Sequence, residues 1–417
     1  MSVGGPHSAR EHSAAPPART MTDPAPRPSS VHALRTRCVH RPQRPDAAHP
    51  GLALPIDRST TFVQGDAARA LTDAGRWDEA LVYARYGSPT VSAVEDHLAD
   101  LEGAERCLLF GSGMAAIHAA LLGLREPGRP VAVARELYGG TSDLLGALAD
   151  LGVEALPFSV TELETLEAAL AAGAGLVWLE TVSNPTLRVA DLGAVIALSR
   201  SAGARVVVDS TFTSPILAQP LELGVDAVVH SATKLLGGHS DLLAGAVLGS
   251  AGTLDPVRQW RKRAGGSLDP QGAWLLERGL ATLALRVEAA GRGAVAVAEA
   301  LDADPRVAWV SHPSLPGHPD HELARRALAG PVPLVAFGLR AGDDALRPFA
   351  DRLRLALDAP SLGGVETLVS LPAFMSHVGL TPAERAAVGI GPGTVRVAVG
   401  IEEPLDLVED LLQALGR

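Results

Sequence analysis

From about residue 105 onward, the sequence alternates between short apolar runs and amphipathic stretches of helical length. The apolar runs lie at 107–110, 131–134, 176–180, 205–209 and 227–230, and the amphipathic stretches include 142–151, 161–172 and 191–201. Strand-length runs separated by about 10–15 residues of helical pattern are typical of βαβ units. We therefore predict an α/β fold with a mainly parallel mixed sheet flanked by helices, in which ligands bind beyond the carboxyl ends of the strands.

The pattern changes after about Leu280. We predict one long helix from 279 toward 301, then proline-rich turns and a smaller α+β region that ends in a helix over 405–415. Residues 1–30 are rich in Pro, Ala, Ser, His and Arg and show no helical periodicity, so we predict a disordered tail there. This tail lacks the apolar core of a secretory signal, and Met21 is an alternative start to Met1.

The composition argues against several classes of function. The formal net charge of −11 disfavours nucleic-acid binding, which needs clustered Lys and Arg. No apolar run approaches the ~20 residues of a membrane span. The two cysteines, Cys38 and Cys107, have no metal-ligand spacing, so we expect neither a metal site nor a disulfide framework. A soluble, cytoplasmic enzyme fits this composition.

Lysine is scarce in this chain. Of the 36 Lys and Arg residues, only Lys234 and Lys262 are lysines, and Asn184 is the only asparagine. A G/C-rich genome would suppress both residue types, so they persist best where no substitute works. Arginine replaces lysine as a surface cation but not as an amine nucleophile, because the guanidinium stays protonated. Lys234 is therefore a candidate catalytic amine, with an ordinary surface lysine as the alternative, whereas Lys262 stands between two arginines in a basic cluster typical of a solvated surface.

The segment from Ser231 to Lys234 suits a pyridoxal 5'-phosphate (PLP) site. The hydroxyls of Ser231 and Thr233 stand three and one residues before the lysine, where they can bind a phosphate while the amine reaches the aldehyde carbon. Upstream, Gly113 and Met114 open a helical pattern directly after an apolar run, and amides at a helix N-terminus favour a phosphate. A turn that serves only tight packing is the alternative for this upstream segment.

Two more polar residues follow predicted strands. Asp209 ends an apolar run, and a buried carboxylate is costly there unless it is paired. It would hold the pyridine nitrogen of the cofactor protonated, with a helix N-cap as the alternative. Tyr138 follows the run at 131–134 and would stack on the cofactor ring. A half-buried tyrosine with a hydrogen-bonded hydroxyl is the alternative for Tyr138.

Two arginines are candidates for anion binding. Arg85 stands close to Tyr83 just before a helical pattern, and arginine suits bidentate phosphate recognition. A surface loop is the alternative for this pair. Arg396 is flanked by valines in a strand-like run, where a buried guanidinium needs an anion. An amino-acid carboxylate would serve, and an internal ion pair with Asp or Glu is the alternative.

Together these segments resemble the Cys/Met-metabolism (trans-sulfuration) family of fold-type I PLP enzymes, over about residues 50–417. The blocks that carry the resemblance lie at 83–90, 110–116, 180–186, 208–212, 230–241, 361–367 and 394–402. The resemblance implies that PLP forms a Schiff base with Lys234, and that Lys234, Tyr138 and Asp209 are catalytic. It implies that the cofactor is bound by Tyr83, Arg85, Gly113, Met114, Tyr138, Asp209, Thr211, Ser231, Thr233 and Lys234. Asn184, Ser361 and Arg396 would hold the substrate carboxylate.

The same resemblance implies a domain organisation and an assembly. An N-terminal arm over 31–85 would contact a neighbouring subunit, followed by a large PLP-binding domain over 86–280 and a C-terminal domain over 281–417. Tyr83 and Arg85 would complete the phosphate site across the subunit interface. A homodimer is then the minimum active unit and a homotetramer is expected. The expected partner is a small amino-acid substrate, with no role for nucleic acid or membrane.

The implied reaction is γ-elimination or γ-replacement on homoserine- or homocysteine-type amino acids, as in cystathionine γ-lyases and cystathionine γ-synthases. The lyases typically carry Glu where this chain has Pro360, and plant-type synthases resemble the chain at 85–87 and 360–361, whereas the segment 138–141 looks more lyase-like. Methionine γ-lyases carry Cys in place of Gly140, which counts against that activity. Methionine γ-lyase or another C–S lyase of the family, a PLP aminotransferase and a catalytically silent homologue are the alternatives.

Overall fold

The computed structural model describes residues 33–43, 45, 49–77, 80–375, 381, 385 and 389–416. The predicted disordered tail over 1–30 lies outside these residues. The chain divides into two compact units, and the described part of the smaller unit covers 59–77 and 80–87. The larger unit contains the remaining described residues.

The smaller unit contains one helix in its described part, Asp66–Asp73. Thr61 and Tyr83 form an antiparallel bridge in this unit. The guanidinium carbon of Arg85 lies 4.9 Å from the ring centroid of Tyr86 and 5.6 Å from that of Tyr83. Cation–π contacts of this kind stabilise by about 0.5–1 kcal/mol at exposed sites, so they hold the three side chains of this segment together.

The helices and strands of both units follow in chain order. The helices are α1 (Leu34–Val39), α2 (Asp66–Asp73), α3 (Pro89–Glu102), α4 (Gly113–Leu124), α5 (Gly139–Ala149), α6 (Leu163–Ala171), α7 (Leu192–Ser201), α8 (Ser214–Leu217), α9 (Pro220–Leu223), α10 (Ala251–Ala264), α11 (Pro270–Leu280), α12 (Leu283–Asp302), α13 (His321–Ala327), α14 (Leu346–Ala350) and α15 (Pro404–Ala414). The strands are β1 (Arg106–Phe110), β2 (Val131–Ala134), β3 (Ala155–Phe158), β4 (Leu176–Glu180), β5 (Arg205–Asp209), β6 (Ala227–His230), β7 (Gly245–Gly249), β8 (Val307–Ser311), β9 (Leu334–Leu339), β10 (Leu357–Asp358), β11 (Leu368–Ser370) and β12 (Thr394–Ala398).

In the larger unit, a seven-stranded sheet has the order β1-β7-β6-β5-β4-β2-β3. Strands β2 to β6 pair in parallel, whereas β7 is antiparallel to both β1 and β6. The central strands are continuous apolar runs because helices cover both faces of a parallel sheet. The predicted α/β fold with a mainly parallel mixed sheet is confirmed, and each of the five predicted strands is present.

Two strands of this sheet were not predicted from the sequence. Strand β3 lies at an edge of the sheet and contains Pro157, which lacks a backbone donor and is tolerated at edges. Strand β7 begins and ends with glycine, a residue depleted in strands. Its antiparallel pairing with β6 reverses the chain directly after the Lys234 segment.

The apolar core of the larger unit has three parts. One cluster packs α4, α6, α7 and α10 against β2, β4, β5 and β6, and Trp178 is fully buried within it. A second cluster packs α3, α11 and α12 against β1 and β7. The third lies between the second sheet and the helices α12 and α15.

The second sheet has the order β10-β11-β12-β9-β8 in the described residues and is antiparallel except between β10 and β11. The sequence predicted one long helix from 279 toward 301. Its predicted start was wrong, because residue 279 belongs to α11, which ends at Leu280, and the long helix α12 begins at Leu283. The predicted terminal helix corresponds to Pro404–Ala414. Among the described residues, no helix is long and apolar enough to cross a membrane.

Candidate active site

Two buried carboxylates stand side by side at the carboxyl ends of β4 and β5. Glu180 and Asp209 are register partners in these parallel strands, and each is only 8 % exposed. Burial raises the pKa of both groups, and the neighbouring charge of Asp209 contributes to raising that of Glu180. Because two adjacent carboxylates resist ionising together, this end of the sheet favours one anion and one neutral acid.

Thr211 links Asp209 to the segment that contains Lys234. Its amide and its hydroxyl donate to Oδ1 of Asp209 at 3.0 and 2.5 Å, and both contacts lower the pKa of Asp209 against the effect of burial. The same hydroxyl accepts the backbone N–H of Ser231 at 2.8 Å. Asp209 is therefore the better stabilised anion of the two carboxylates.

Lys234 lies in the turn after β6, with its amine directed toward the second sheet. Its Nζ donates to Oγ of Ser361 at 2.8 Å. Burial lowers the pKa of the Lys234 amine, and the positive charge of Arg396 lowers it further. Both effects favour the neutral amine, which is the nucleophilic form.

Arg396 lies in β12 and is buried, with 8 % exposure. Its Nη1 donates to Oδ1 of Asn184 at 3.0 Å, and its Nη2 donates to the carbonyl of Ser361 at 2.8 Å. Burial lowers the pKa of Arg396 to about 10. Across the described residues, no carboxylate pairs with this guanidinium, and its buried Nε has no hydrogen-bond partner. The alternative of an internal ion pair between Arg396 and an Asp or Glu is therefore not found among these residues.

The first turn of α4 meets the Ser231 segment. Ser112 caps this helix by accepting the N–H of Ala115 at 3.1 Å. A Cβ at Gly113 would lie 2.8 Å from Oγ of Ser231, so only glycine allows this approach. The amides of Gly113 and Met114, at the positive end of the helix, thus lie beside a serine hydroxyl, as a phosphate site requires.

Thr233 is engaged by the backbone. Its hydroxyl donates to the carbonyl of Ala244 at 3.2 Å and accepts the N–H of the same residue at 3.0 Å. One acceptor position remains on the oxygen, but its only proton is already donated. These contacts favour a structural role for Thr233, which holds the turn after β6 against the start of β7.

Tyr138 is the N-cap residue of α5, and its side chain is 44 % exposed. Its backbone N–H donates to Oε1 of Glu180 at 2.6 Å. A Cβ at Gly140 would lie 2.6 Å from the Tyr138 ring and 3.2 Å from the sulfur of Met114. The ring of Tyr138 therefore lies over the backbone of Gly140, near the first turn of α4.

Tyr83 and Arg85 belong to the smaller unit. Their predicted part in a shared phosphate site concerns a neighbouring subunit and stays a prediction.

Glu180 was not among the predicted site residues, although it lies in one of the family-like blocks. Glu180 ends an apolar run in the same way as Asp209 does. A carboxylate at the end of a buried strand is the signal that predicted Asp209. The same signal also indicates Glu180.

These groups fit the chemical parts of PLP. A partly buried amine of lowered pKa at Lys234 suits the aldehyde, and a buried anion at Asp209 suits a protonated pyridine nitrogen. The first turn of α4 beside Ser231 suits the phosphate. Arg396 has an unpartnered Nε and no carboxylate partner among the described residues, which suits the carboxylate of an amino acid.

Comparisons with known proteins agree with this site. The family model described as Cys/Met metabolism PLP-dependent enzyme matches residues 35–416. The chain is 38 % identical to an L-methionine gamma-lyase of Pseudomonas putida, covering 91 % of this chain and 96 % of the relative. It superimposes on a cystathionine gamma synthase from Xanthomonas oryzae pv. oryzae in complex with cystathionine with a TM-score of 0.87 and 37 % identity, covering 93 % and 98 % of the two chains. A cystathionine gamma lyase (CalE6) from Micromonospora echinospora gives a TM-score of 0.86 and 39 % identity, covering 93 % and 100 %.

Proposed function

We propose, on the premise that this chain belongs to the Cys/Met metabolism family of PLP-dependent enzymes, that it acts at the γ-carbon of a homoserine-type amino acid. Cystathionine would be either the substrate of a γ-elimination or the product of a γ-replacement. The family and the PLP dependence are common to both reactions, so the proposal concerns which bond is made or broken.

One observation carries the proposal. The amine of Lys234 and the guanidinium of Arg396 both contact Ser361, through its hydroxyl at 2.8 Å and its carbonyl at 2.8 Å. An amino acid whose carboxylate is held by Arg396 would present its Cα next to that amine. This arrangement suits proton removal from an amino acid.

The roles of the residues follow from their surroundings. Bound PLP supplies an electron sink that stabilises negative charge at Cα. The neutral amine of Lys234 would accept the proton from Cα and become an ammonium group, while Asp209 would keep the pyridine nitrogen charged. Asn184, Ser361 and Arg396 would fix the carboxylate, which orients Cγ and its leaving group.

Pro360 supports γ-replacement as the principal activity. It precedes Ser361, at the position where cystathionine γ-lyases typically carry Glu, and a proline supplies no carboxylate beside the amine of Lys234. The structural neighbour in complex with cystathionine is a γ-synthase. A γ-elimination activity is the second candidate, because a γ-lyase is equally similar to this chain.

Two incubations test the proposal. The purified enzyme is given cystathionine alone, and separately an O-acylated homoserine with cysteine. Formation of cystathionine in the second assay supports γ-replacement, and release of 2-oxobutanoate and ammonia in the first supports γ-elimination. Turnover of methionine alone, or keto-acid formation that needs an acceptor keto acid, would contradict the proposal in favour of a methionine γ-lyase or an aminotransferase.

We also propose a cytoplasmic homotetramer built from two dimers. The N-terminal arm over 31–85 would contact the neighbouring subunit, beside a PLP-binding domain over 86–280 and a C-terminal domain over 281–417. Tyr83 and Arg85 would complete the phosphate site of the neighbour. The resemblance to the family supports this assembly, and the cation–π cluster of this segment supports a role in binding an anion.

A further inference from the structure

Glu180 is a buried site group to which the proposed chemistry gives no role. Its Oε1 accepts the backbone N–H of Tyr138 at 2.6 Å. This contact fixes the main chain directly before α5.

The main chain fixed in this way belongs to Tyr138, a predicted site residue. Its ring lies over the backbone of Gly140, near the sulfur of Met114. A shift of the main chain at Tyr138 would therefore move a group that is expected to contact the cofactor.

The carboxyl of Glu180 stands next to a competing anion. Glu180 and Asp209 are register partners on adjacent strands, about 4.8 Å apart along the hydrogen-bonding direction. Asp209 receives two hydrogen bonds from Thr211. Burial and the charge of Asp209 raise the pKa of Glu180 well above its usual range. Glu180 is accordingly the carboxyl of the pair that is harder to ionise.

We propose that Glu180 is a positioning residue, whose carboxyl holds the main chain of Tyr138 by accepting its backbone N–H. The inference needs the PLP site of the family and does not depend on the choice between γ-elimination and γ-replacement.

The test compares Glu180→Ala with Glu180→Gln. We measure the Kd for PLP with the apoenzyme and the visible circular dichroism of the bound cofactor, neither of which requires a substrate. For Glu180→Ala we expect a Kd raised about tenfold to a hundredfold, because the backbone N–H of Tyr138 loses its acceptor. We also expect an altered dichroism. Glu180→Gln retains a carbonyl acceptor, so its Kd is expected to stay within about threefold of the wild type.

Asp410→Asn is a matched control. Asp410 is also buried, at 4 % exposure, and accepts the backbone N–H groups of Arg354, Leu355 and Ala356 in the region of the second sheet. This variant is expected to lower the Tm while leaving the Kd for PLP and the dichroism unchanged. It separates loss of stability from loss of site geometry.

Two results would overturn the inference. In the first, Glu180→Ala behaves like Asp410→Asn and loses only thermal stability. In the second, Glu180→Gln loses PLP affinity as far as Glu180→Ala does, which would mean that the charge of Glu180 matters. If Glu180→Ala does not fold, Glu180→Asp replaces it, because the shorter side chain withdraws the carboxyl from the N–H of Tyr138. Failure of the two substrate incubations would leave these PLP measurements unaffected.

Discussion

Lys234 has the most demanding chemical role proposed for any single side chain of this enzyme. Its amine is partly buried, and it is held by Ser361 at 2.8 Å close to a second cation, Arg396. Burial first and Arg396 second lower its pKa, so the neutral amine persists to lower pH than in a free lysine. An arginine at this position would stay protonated and could not act as a nucleophile.

The presence of only two lysines makes this role directly testable. In Lys234→Arg we expect loss of the visible absorption band of bound PLP and a fall in kcat of about 10²–10⁴-fold, as removal of a general base typically causes. Borohydride reduction followed by peptide mass spectrometry should label wild-type Lys234. Lys262→Arg is the matched control and should keep the band, the label and the activity. Labelling of Lys262, or a retained band in Lys234→Arg, would contradict the assignment.

At the scale of secondary-structure elements, the site depends on a close approach between two segments. The loop between β10 and β11 contains Ser361 and Gly363, and it packs against the turn after β6 that contains Lys234. Gly363 has a φ of +79°, and a Cβ there would lie 2.6 Å from the backbone nitrogen of Leu235. This glycine therefore permits the contact between Ser361 and the lysine amine.

Gly363→Ala and Gly152→Ala form a matched pair, since both glycines have a φ of +79° and a Cβ at Gly152 would meet nothing within 4 Å. Gly152→Ala should lower the free energy of unfolding by about 1–2 kcal/mol through backbone strain alone. Gly363→Ala should cost about 1–3 kcal/mol more because of the clash, and should shift the visible band of bound PLP. Urea unfolding and absorption spectra measure both effects. Equal destabilisation with an unchanged spectrum in both variants would show that the close approach is unimportant.

At the scale of the whole molecule, the proposed active unit is larger than one chain. Arg85 and Tyr83 stand in a different unit from Lys234, and the family resemblance assigns them to the phosphate site of a neighbouring subunit. A site shared between two copies has a consequence that a single chain does not show. Two different inactive variants can rebuild one complete site when they associate.

We expect this complementation between Arg85→Ala and Lys234→Ala. Each variant alone should have little activity, and an equal mixture dissociated and reassociated together should recover up to about a quarter of the wild-type rate. Half of randomly assorted dimers are mixed, and each mixed dimer has one intact site of two. The control is the same treatment of each variant separately. No recovery in a mixture that native mass spectrometry shows to contain mixed dimers would place Arg85 in the site of its own chain.

The sequence by itself predicted five of the seven strands of the larger sheet and singled out Lys234 as the candidate amine. Continuous apolar runs are typical of strands buried beneath helices, so the five predicted strands, including the one that ends at Asp209, follow from a local pattern. Lys234 stood out because lysine is scarce in this chain and arginine cannot supply a neutral amine.

Only the tertiary structure decided which distant residues meet. The 2.8 Å contact between Lys234 and Ser361 spans 127 residues, and the contact between Asn184 and Arg396 spans 212. Glu180 is part of the site because the sheet order places β4 next to β5, and Gly363 matters because its loop reaches the turn after β6. Periodicity and composition describe neighbours along the chain, whereas these contacts depend on the order of the strands and on packing between the two sheets.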